Sequence, residues 1–507
     1  MKDQDSLFGI PIDAKERIAL MAEADVRELA KLQATALENL EKRYQRLLSE
    51  ISRPEQENLS LKDELLIIRH RYFGKSSEKR PSDEDVKKKS ATARKAGNSN
   101  DPKSLLPSMR YPELPLIERR IEWEEGKEKC CTLCQSKLSK MGNQSENSEF
   151  ITVIQKTYQI FRQERQKYRC TKCHGDVQTA SALPRVVQGG AFSDEIAIDV
   201  AVSKYADHIP IERYVAQAER LGLSGVHPQT LIDQTHRLAD FLEPVYLNLK
   251  TSIQESDYLH ADETPWKMLE GDEKQNWQLW GFFDQRNAYY EARDTRGSEV
   301  STEFLKNCKA SHLVSDAYSG YGKSASKSGI LNSFCNAHAR RKFIEAEINY
   351  PEAKAAIELY AELYSIERDI KGLPPPEKLK IRTERSIPVL DKLKNYLIHL
   401  NPLPKSSLGT ARDYTLKHWD ELTEFSRYGH LPIDNNLAER GLRGPVLGRK
   451  NYYGNHSKRG ARTSQILYSI IESCKLCGVE PYAYLKSVVK NIHSEITPLT
   501  PAEYKTI

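Results

Sequence analysis

Long apolar runs are absent from this sequence: nowhere in its 507 residues do eighteen apolar positions follow one another, and no charged-then-apolar leader is present. A membrane-spanning helix is thereby excluded, and a cytoplasmic protein without export is expected. A large charge imbalance is missing too. The 76 Lys and Arg against 71 Asp and Glu leave a formal net charge of only +5, so affinity for nucleic acid has to come from local clustering. Cysteine is sparse, nine in all and unevenly spread, which argues against a secreted disulfide framework and turns attention to metal-binding pairs. The length is too great for one core, and the usual domain size predicts about three or four units.

What is present falls into successive blocks. Over Val26–Ile51 one heptad seam carries Ala30, Leu37, Tyr44 and Ile51 and the other Val26, Gln33, Leu40 and Leu47. That spacing fits either a coiled coil or an amphipathic helix packed on its own chain. Pro54 interrupts it and a second helix is expected at Leu59–Arg71, so residues 1–73 read as a helical, coiled-coil-like N-terminal region. Residues 74–108 are rich in Ser, Lys, Asp and Asn and hold almost nothing that could fill a core, which predicts a flexible charged linker.

Residues 109–190 contain Cys131-Thr-Leu-Cys134 and Cys170-Thr-Lys-Cys173, with 35 residues between the pairs. Each pair can offer two thiolates at tetrahedral angles, and two pairs close a four-sulfur structural site for one Zn2+ that holds a core-poor module together. Cys130 competes with its neighbour as a ligand, and His174 with Cys173. Alternation over Phe150–Tyr168 reads as β-strands within this module. A third pair, Cys474 and Cys477, lies in an apolar helical stretch with no partner pair and reads as buried thiols.

Residues 191–250 are helical by pattern. Ile211–Leu221, a Gly222-Leu-Ser-Gly225 turn and Pro228–Leu242 resemble a helix-turn-helix, with Gln229, Thr230, Gln234, Thr235, His236 and Arg237 giving the second helix a polar face. Such a face suits either DNA contact or plain packing. From Tyr258 the pattern turns to strands, Tyr258–Ala261, Trp277–Phe283 and Ala288–Ala292, followed by a helix at Glu299–Lys306 and a fourth strand at His312–Ser315. Three strands, a helix and a strand ending in an acid is the order of a ribonuclease-H-like sheet. In that layout Asp262 and Asp316 converge although 54 positions separate them. Two converging carboxylates suit hard divalent cations. A third acid is needed, and Glu439 and Asp434 both qualify, with Asn435 or Asn436 capping the helix that presents Glu439 and Arg443. Glu263, by strand alternation, faces away from Asp262.

Five stretches carry a resemblance: His260-Ala-Asp-Glu-Thr-Pro265, Ser315-Asp-Ala-Tyr-Ser-Gly-Tyr321, Cys335-Asn-Ala-His-Ala-Arg-Arg-Lys-Phe343, Asp434-Asn-Asn-Leu-Ala-Glu-Arg440 and Gly448-Arg-Lys-Asn451. Together they closely resemble the transposases of the insertion sequence 66 family. The likeness extends back through Ser203-Lys-Tyr-Ala-Asp-His-Ile-Pro210, the cysteine pairs and Tyr72-Phe-Gly-Lys-Ser-Ser-Glu-Lys79, and forward to Gly478-Val-Glu-Pro-Tyr-Ala-Tyr-Leu485. It implies a DDE transposase in which Asp262, Asp316 and Glu439 hold two Mg2+ (or Mn2+) ions, and it selects Glu439 over Asp434. It also implies DNA as partner, both terminal inverted repeats and target, a homo-oligomer of at least two copies on DNA, and small accessory transposition proteins. A bacterial-type cytoplasmic protein that joins the nucleoid when bound to DNA follows from the same likeness.

Between Asp316 and Glu439 lie 122 residues, far more than closing a sheet needs. Ala353, Ile357, Tyr360, Tyr364, Leu390, Leu393, Leu397 and Leu400 recur at helical spacing around Pro374-Pro-Pro376, so a helical insertion is expected at about 344–430. Cys335 and His338, just before it, resemble a Cys-x2-His element of other transposases with helical inserts; two ligands alone do not make a zinc site, and a buried structural pair is favoured. After Glu439, the stretch to Arg462 contains Arg440, Arg443, Arg449, Lys450, Lys458, Arg459 and Arg462 and no acid, with Tyr452 and Tyr453 among them. Such cations can neutralise phosphates and such tyrosines can stack on unpaired bases. The expected chain is therefore a multidomain α/β protein: helical N-terminus, zinc module, helical DNA-binding region, a ribonuclease-H-like catalytic domain over 251–450, and a helical region over 451–507. Two other readings stay open, a nuclease or resolvase of the same fold that never joins DNA, and a DNA-binding regulator without catalysis.

Overall fold

The computed structural model describes residues 177–269 and 276–506 and, before them, residues 42, 106–112, 114–118, 134–135, 148–152, 154, 156–169 and 171. The heptad over Val26–Ile51 lies outside the described residues apart from Lys42, and so does the helix expected at Leu59–Arg71. The zinc site does so too, except for Cys134, which sits exposed on a turn. The chain divides into two compact units, the smaller comprising residues 76–163 and 218–224. Within the smaller unit a short helix, Pro107–Arg110, is held by Glu149, whose carboxylate accepts from the Ser108 amide at 2.8 Å and hydroxyl at 2.9 Å.

The alternation over Phe150–Tyr168 yields no strand before Lys167 among the described residues. Ile151, Ile154, Ile160 and Phe161 stand exposed, and only Lys167–Arg169 finds a ladder, pairing antiparallel with Val177–Thr179. Alternation supplies a face, and a strand also needs a backbone partner.

Four helices precede the sheet: α1 (Asp194–Tyr205), α2 (Ile211–Arg220), α3 (Pro228–Phe241) and α4 (Glu243–Gln254). Pro228 opens α3 as expected, where its missing N–H costs nothing, and the His227 ring accepts from the Gln229 amide. The polar face of α3 is not all outward. Gln229, Thr230 and Arg237 are exposed, whereas Gln234, Thr235 and His236 are buried, and His236 Nδ1 meets Thr463 Oγ1 at 2.6 Å. Three of the six residues of that face thus serve packing, one of the two uses their pattern left open.

The central sheet has five strands, β1 (Tyr258–Lys267), β2 (Asn276–Phe283), β3 (Ala288–Arg293), β4 (His312–Ser315) and β5 (Leu331–Phe334), in spatial order β3-β2-β1-β4-β5. β1 pairs antiparallel with β2 and parallel with β4, and β4 pairs parallel with β5. Helix α5 (Ser298–Leu305) connects β3 to β4, and α6 (Ser319–Ser328) connects β4 to β5. β1 runs six residues further than its expected end at Ala261 and passes through Pro265. Its pairing with β4 stops at His260, so from there on β1 has an open side, where a residue lacking an N–H is tolerated.

After β5 come α7 (Asn336–Ala346), α8 (Ala353–Asp369), α9 (Pro375–Ile381), a π-helical turn at Arg382–Ser386, α10 (Ile387–His399), α11 (Ser407–Lys417) and α12 (Trp419–Thr423). These helices share their own core of Phe343, Tyr360, Leu363, Leu393, Leu397 and Phe425, which continues onto Phe334 of β5. The chain then returns through α13 (Asn436–Tyr452), α14 (Lys458–Cys477), α15 (Pro481–His493) and α16 (Pro501–Tyr504). Cys474 and Cys477 are buried thiols on α14. No helix among the described residues is long and apolar enough to cross a membrane.

Arg382, only 2% exposed, fastens the helical insertion from within its π turn. Its Nε and a terminal nitrogen reach Glu367 of α8 at 2.8 and 2.6 Å, while the other terminal nitrogen donates to the carbonyls of Phe425 and Tyr428 at 2.8 and 2.6 Å. Replacing it with Leu strands a half-buried carboxylate and two carbonyls. We expect Arg382→Leu to lower the unfolding free energy by about 3–5 kcal/mol in urea titrations, and Glu358→Ala, which breaks only the exposed Lys354–Glu358 pair, to change it by less than about 1 kcal/mol.

Candidate active site

Parallel register brings the first two acids to one end of the sheet. His260 stands opposite Val314; Asp262 lies two residues further along β1, and Asp316 two residues further along the chain, just past the end of β4. The Asp262 carboxylate takes the Glu263 amide at 2.9 Å, and the Asp316 carboxylate takes the Tyr318 amide at 3.0 Å. Burial pushes the Asp262 carboxyl up to about 8; the negative fields of Glu263, Asp316 and Glu439 add to the shift, and the Glu263 amide opposes it. Asp316 and Glu439, the other two acids named from the sequence, are thus both close enough for their fields to reach Asp262.

Glu439 occupies the first turn of α13, which lies against β1 and β2. Its seat is close. A Cβ added at Gly441 would stand 2.3 Å from the Phe283 ring, and the Gly441 carbonyl accepts from the Tyr290 hydroxyl at 2.6 Å. Asn435, fully buried, does not cap the helix with its side chain. Its Nδ2 donates to the Ala261 carbonyl at 2.9 Å, which orients the amide so that Oδ1 accepts from His260 Nδ1 at 2.8 Å. Burial holds the His260 imidazole down to about 4, so the ring is neutral with its proton on Nδ1. The rival acid Asp434 does the capping instead, spending its oxygens on the Asn436 amide at 3.1 Å and on Asn436 Nδ2 at 2.6 Å.

Glu263, the neighbour read as facing away, is held in place by other groups. Its carboxylate, 2% exposed, accepts from Arg296 Nε at 2.8 Å and a terminal nitrogen at 2.6 Å, and from the buried Tyr321 hydroxyl. Arg296 covers the Tyr318 ring at 4.5 Å, and the Tyr318 hydroxyl donates to the Arg296 carbonyl. This network braces the loop that carries Asp316 against the strand that carries Asp262. Sequence reading missed it, although Tyr318 and Tyr321 stand inside one of the recognised motifs.

Cys335 and His338 are not remote from the acids. Cys335 Sγ lies 3.9 Å and His338 Nδ1 3.6 Å from Glu439 Oε1, while an Arg341 terminal nitrogen is 3.7 Å from Glu439 Oε2. The Cys335 sulfur also receives the Asn435 amide at 3.2 Å, and burial pushes its thiol up to about 12. Tyr414 of α11 is a further neighbour: burial raises its hydroxyl, and the fields of Asp316 and Cys335 add to it. No sequence signal marks Tyr414, because only folding of the insertion brings it near.

The basic cluster separates into two parts. Arg440, Arg443 and Lys450 are exposed along α13, whereas Arg449 is half-buried with its guanidinium 3.5 Å from Thr264 Oγ1. The stretch holds no acid in sequence, yet the fold supplies some: Arg459 pairs with Asp240 at 3.4 Å and Arg462 with Glu243. Lys458 is exposed at the start of α14. The two tyrosines also divide. Tyr453 is 73% exposed, but Tyr452 turns inward, its hydroxyl on Tyr468 and its ring under Lys204 at 4.5 Å, so stacking on a base is open to Tyr453 and closed to Tyr452.

Comparison with known proteins places this geometry in context. A family model described as Transposase IS66 family matches residues 189–463, and one described as IS66 C-terminal element matches residues 469–501. Uncharacterized protein y4jD of Sinorhizobium fredii is 31% identical over 403 residues, covering 75% of this chain and 78% of its own. Uncharacterized protein y4hP of the same organism is 29% identical over 413 residues, covering 74% and 73%.

The raised Asp262 carboxyl has a pH signature. Between about pH 4 and 8 the folded chain keeps a proton that the unfolded chain releases, so this group's contribution to stability falls as pH rises. With divalent ions chelated, Asp262→Asn should melt above the parent chain at pH 8, and the gap should close toward pH 4, as followed by thermal denaturation across pH.

Proposed function

The chain belongs to the Transposase IS66 family, and on that premise we propose that it is a DNA transposase with a ribonuclease-H-like sheet and a three-carboxylate centre of Asp262, Asp316 and Glu439. The observation that carries this reading is the parallel β1–β4 register, which brings Asp262 and Asp316 to one end of the sheet while the helix bearing Glu439 lies against β1; burial and the fields of its acidic neighbours push the Asp262 carboxyl up to about 8. Such a cluster is electrostatically unfavourable by itself, and hard divalent cations suit its all-oxygen donor set. Bound there, a pair of magnesium or manganese ions supplies activation of the attacking hydroxyl and stabilisation of the leaving oxygen.

The chain's own residues do the positioning. Asn435 and neutral His260 fix the start of α13 against β1 and so aim Glu439, while the Glu263–Arg296–Tyr321 network sets Asp316. Arg440, Arg443 and Lys450 offer cations along α13 to phosphates next to the cut, with Arg449, Lys458, Arg459 and Arg462 behind them. Tyr453 offers a ring to an unpaired base. The reaction is two phosphoryl transfers at one centre: hydrolysis at the element end frees a 3′-hydroxyl, which then attacks target DNA. One structural Zn2+ at Cys131, Cys134, Cys170 and Cys173 belongs to the same reading and rests on their spacing alone.

Labelled element ends, a target plasmid and magnesium test the proposal. Cleaved and joined products are expected from the parent chain, and neither from Asp262→Ala, Asp316→Ala or Glu439→Ala, with end binding retained in gel shifts. Cleavage by Asp262→Ala would sink the assignment, and cleavage without joining would favour a resolvase-like nuclease. For the basic face, Arg443→Ala with Lys450→Ala should weaken binding to all sequences alike and flatten the dependence of log affinity on log salt by roughly 2.

A further inference from the structure

Cys335, His338 and Glu439 present a sulfur, a ring nitrogen and a carboxylate oxygen that all lie within 4.8 Å of one another. Four-coordinate zinc holds such atoms about 3.3–3.7 Å apart, so the 3.6 and 3.9 Å separations from Glu439 Oε1 are already near that spacing. Two further observations point to a missing ligand. His338 Nδ1 is buried without a hydrogen-bond partner, an arrangement that costs free energy unless something fills it. The Cys335 sulfur receives the Asn435 amide, a contact that favours the thiolate against the burial that otherwise keeps the thiol protonated and that a bound cation would offset. The mix of sulfur, imidazole and carboxylate favours a softer ion than an all-carboxylate site does.

We propose that Cys335, His338 and Glu439 form a second metal site, distinct from the pair Asp262 and Asp316, that takes a thiophilic divalent ion of the zinc class. The side chains of His338 and Glu439 are 31% and 21% exposed, so a fourth position faces solvent. The site does not depend on the transposase reading, but its consequence does. Glu439 belongs to both centres, so a zinc-class ion draws that carboxylate away from Asp262 and Asp316 and opposes the binding of magnesium, with the coupling equal in both directions.

The test is a titration of the full-length, chelator-stripped chain with Co2+ alone, following thiolate-to-cobalt absorption and stoichiometry, in the parent, Cys335→Ser and His338→Gln. Cobalt in a four-cysteine module contributes equally to all three and cancels in the differences. Loss of one molar equivalent in each variant is the expected result, and unchanged stoichiometry in either one overturns the site. Melting temperatures in chelator establish folding; should Cys335→Ser be destabilised, the partly exposed His338→Gln carries the test alone. The readout is independent of DNA joining: a chain inactive on DNA that still loses the equivalent keeps the site and drops the transposase reading, whereas an active chain with no loss does the reverse.

Discussion

The Asn435 side chain, shut away from solvent, donates to the Ala261 carbonyl and accepts from His260, while its own amide N–H meets the Cys335 sulfur. One residue thus ties the middle of β1, the end of β5 and the start of α13, elements 174 and 100 positions away in sequence. Each leads to a residue of the two proposed centres: Asp262 lies one residue past Ala261, His338 three past Cys335, and Glu439 four past Asn435. A buried amide with its bonds satisfied holds position firmly, because each lost partner would leave a desolvated polar atom. The placement of Asp262 relative to Glu439 is in this sense inherited from a neutral residue.

The same point closes the helical insertion. Asn336 Nδ2, at its beginning, donates to the Ile433 carbonyl at its end and to the Leu422 carbonyl, so the excursion leaves and returns at one place. A loop closed this way can be long at little added entropic cost. With its own core and the buried Arg382 anchor, the insertion folds onto the edge of the sheet without displacing any strand, and α11 brings Tyr414 within the field of Asp316.

Much of this was legible in the sequence. Alternation and turn residues located four strands and the helix between the third and fourth, and the strand order alone put Asp262 beside Asp316. What escaped has physical reasons. The extension of β1 through Pro265 depends on β4 being short, which no local pattern announces. Pairing of Arg459 and Arg462 with acids of α3 and α4 joins residues 219 positions apart, so an acid-free stretch of sequence was not an acid-free surface. Cys335 and His338 read as a buried structural pair because Glu439, their neighbour in the fold, stands 104 positions away. The polar residues of α3 could not be sorted into inward and outward without α14.

The outer edge of the sheet is finished by a helix rather than by a strand. From α14, Ser473, Ser469 and Gln465 accept the outward amides of Ala288, Tyr290 and Ala292, each at 2.9 Å, one helical turn for every two strand residues. Unsatisfied edges are templates for pairing with other chains, and here three side chains remove the template. The order of synthesis then matters. β3 leaves the ribosome some 173 to 185 residues before the groups that cover it, so a polypeptide interrupted before α14 carries an open edge, and only the finished one is protected from sticking to its neighbours.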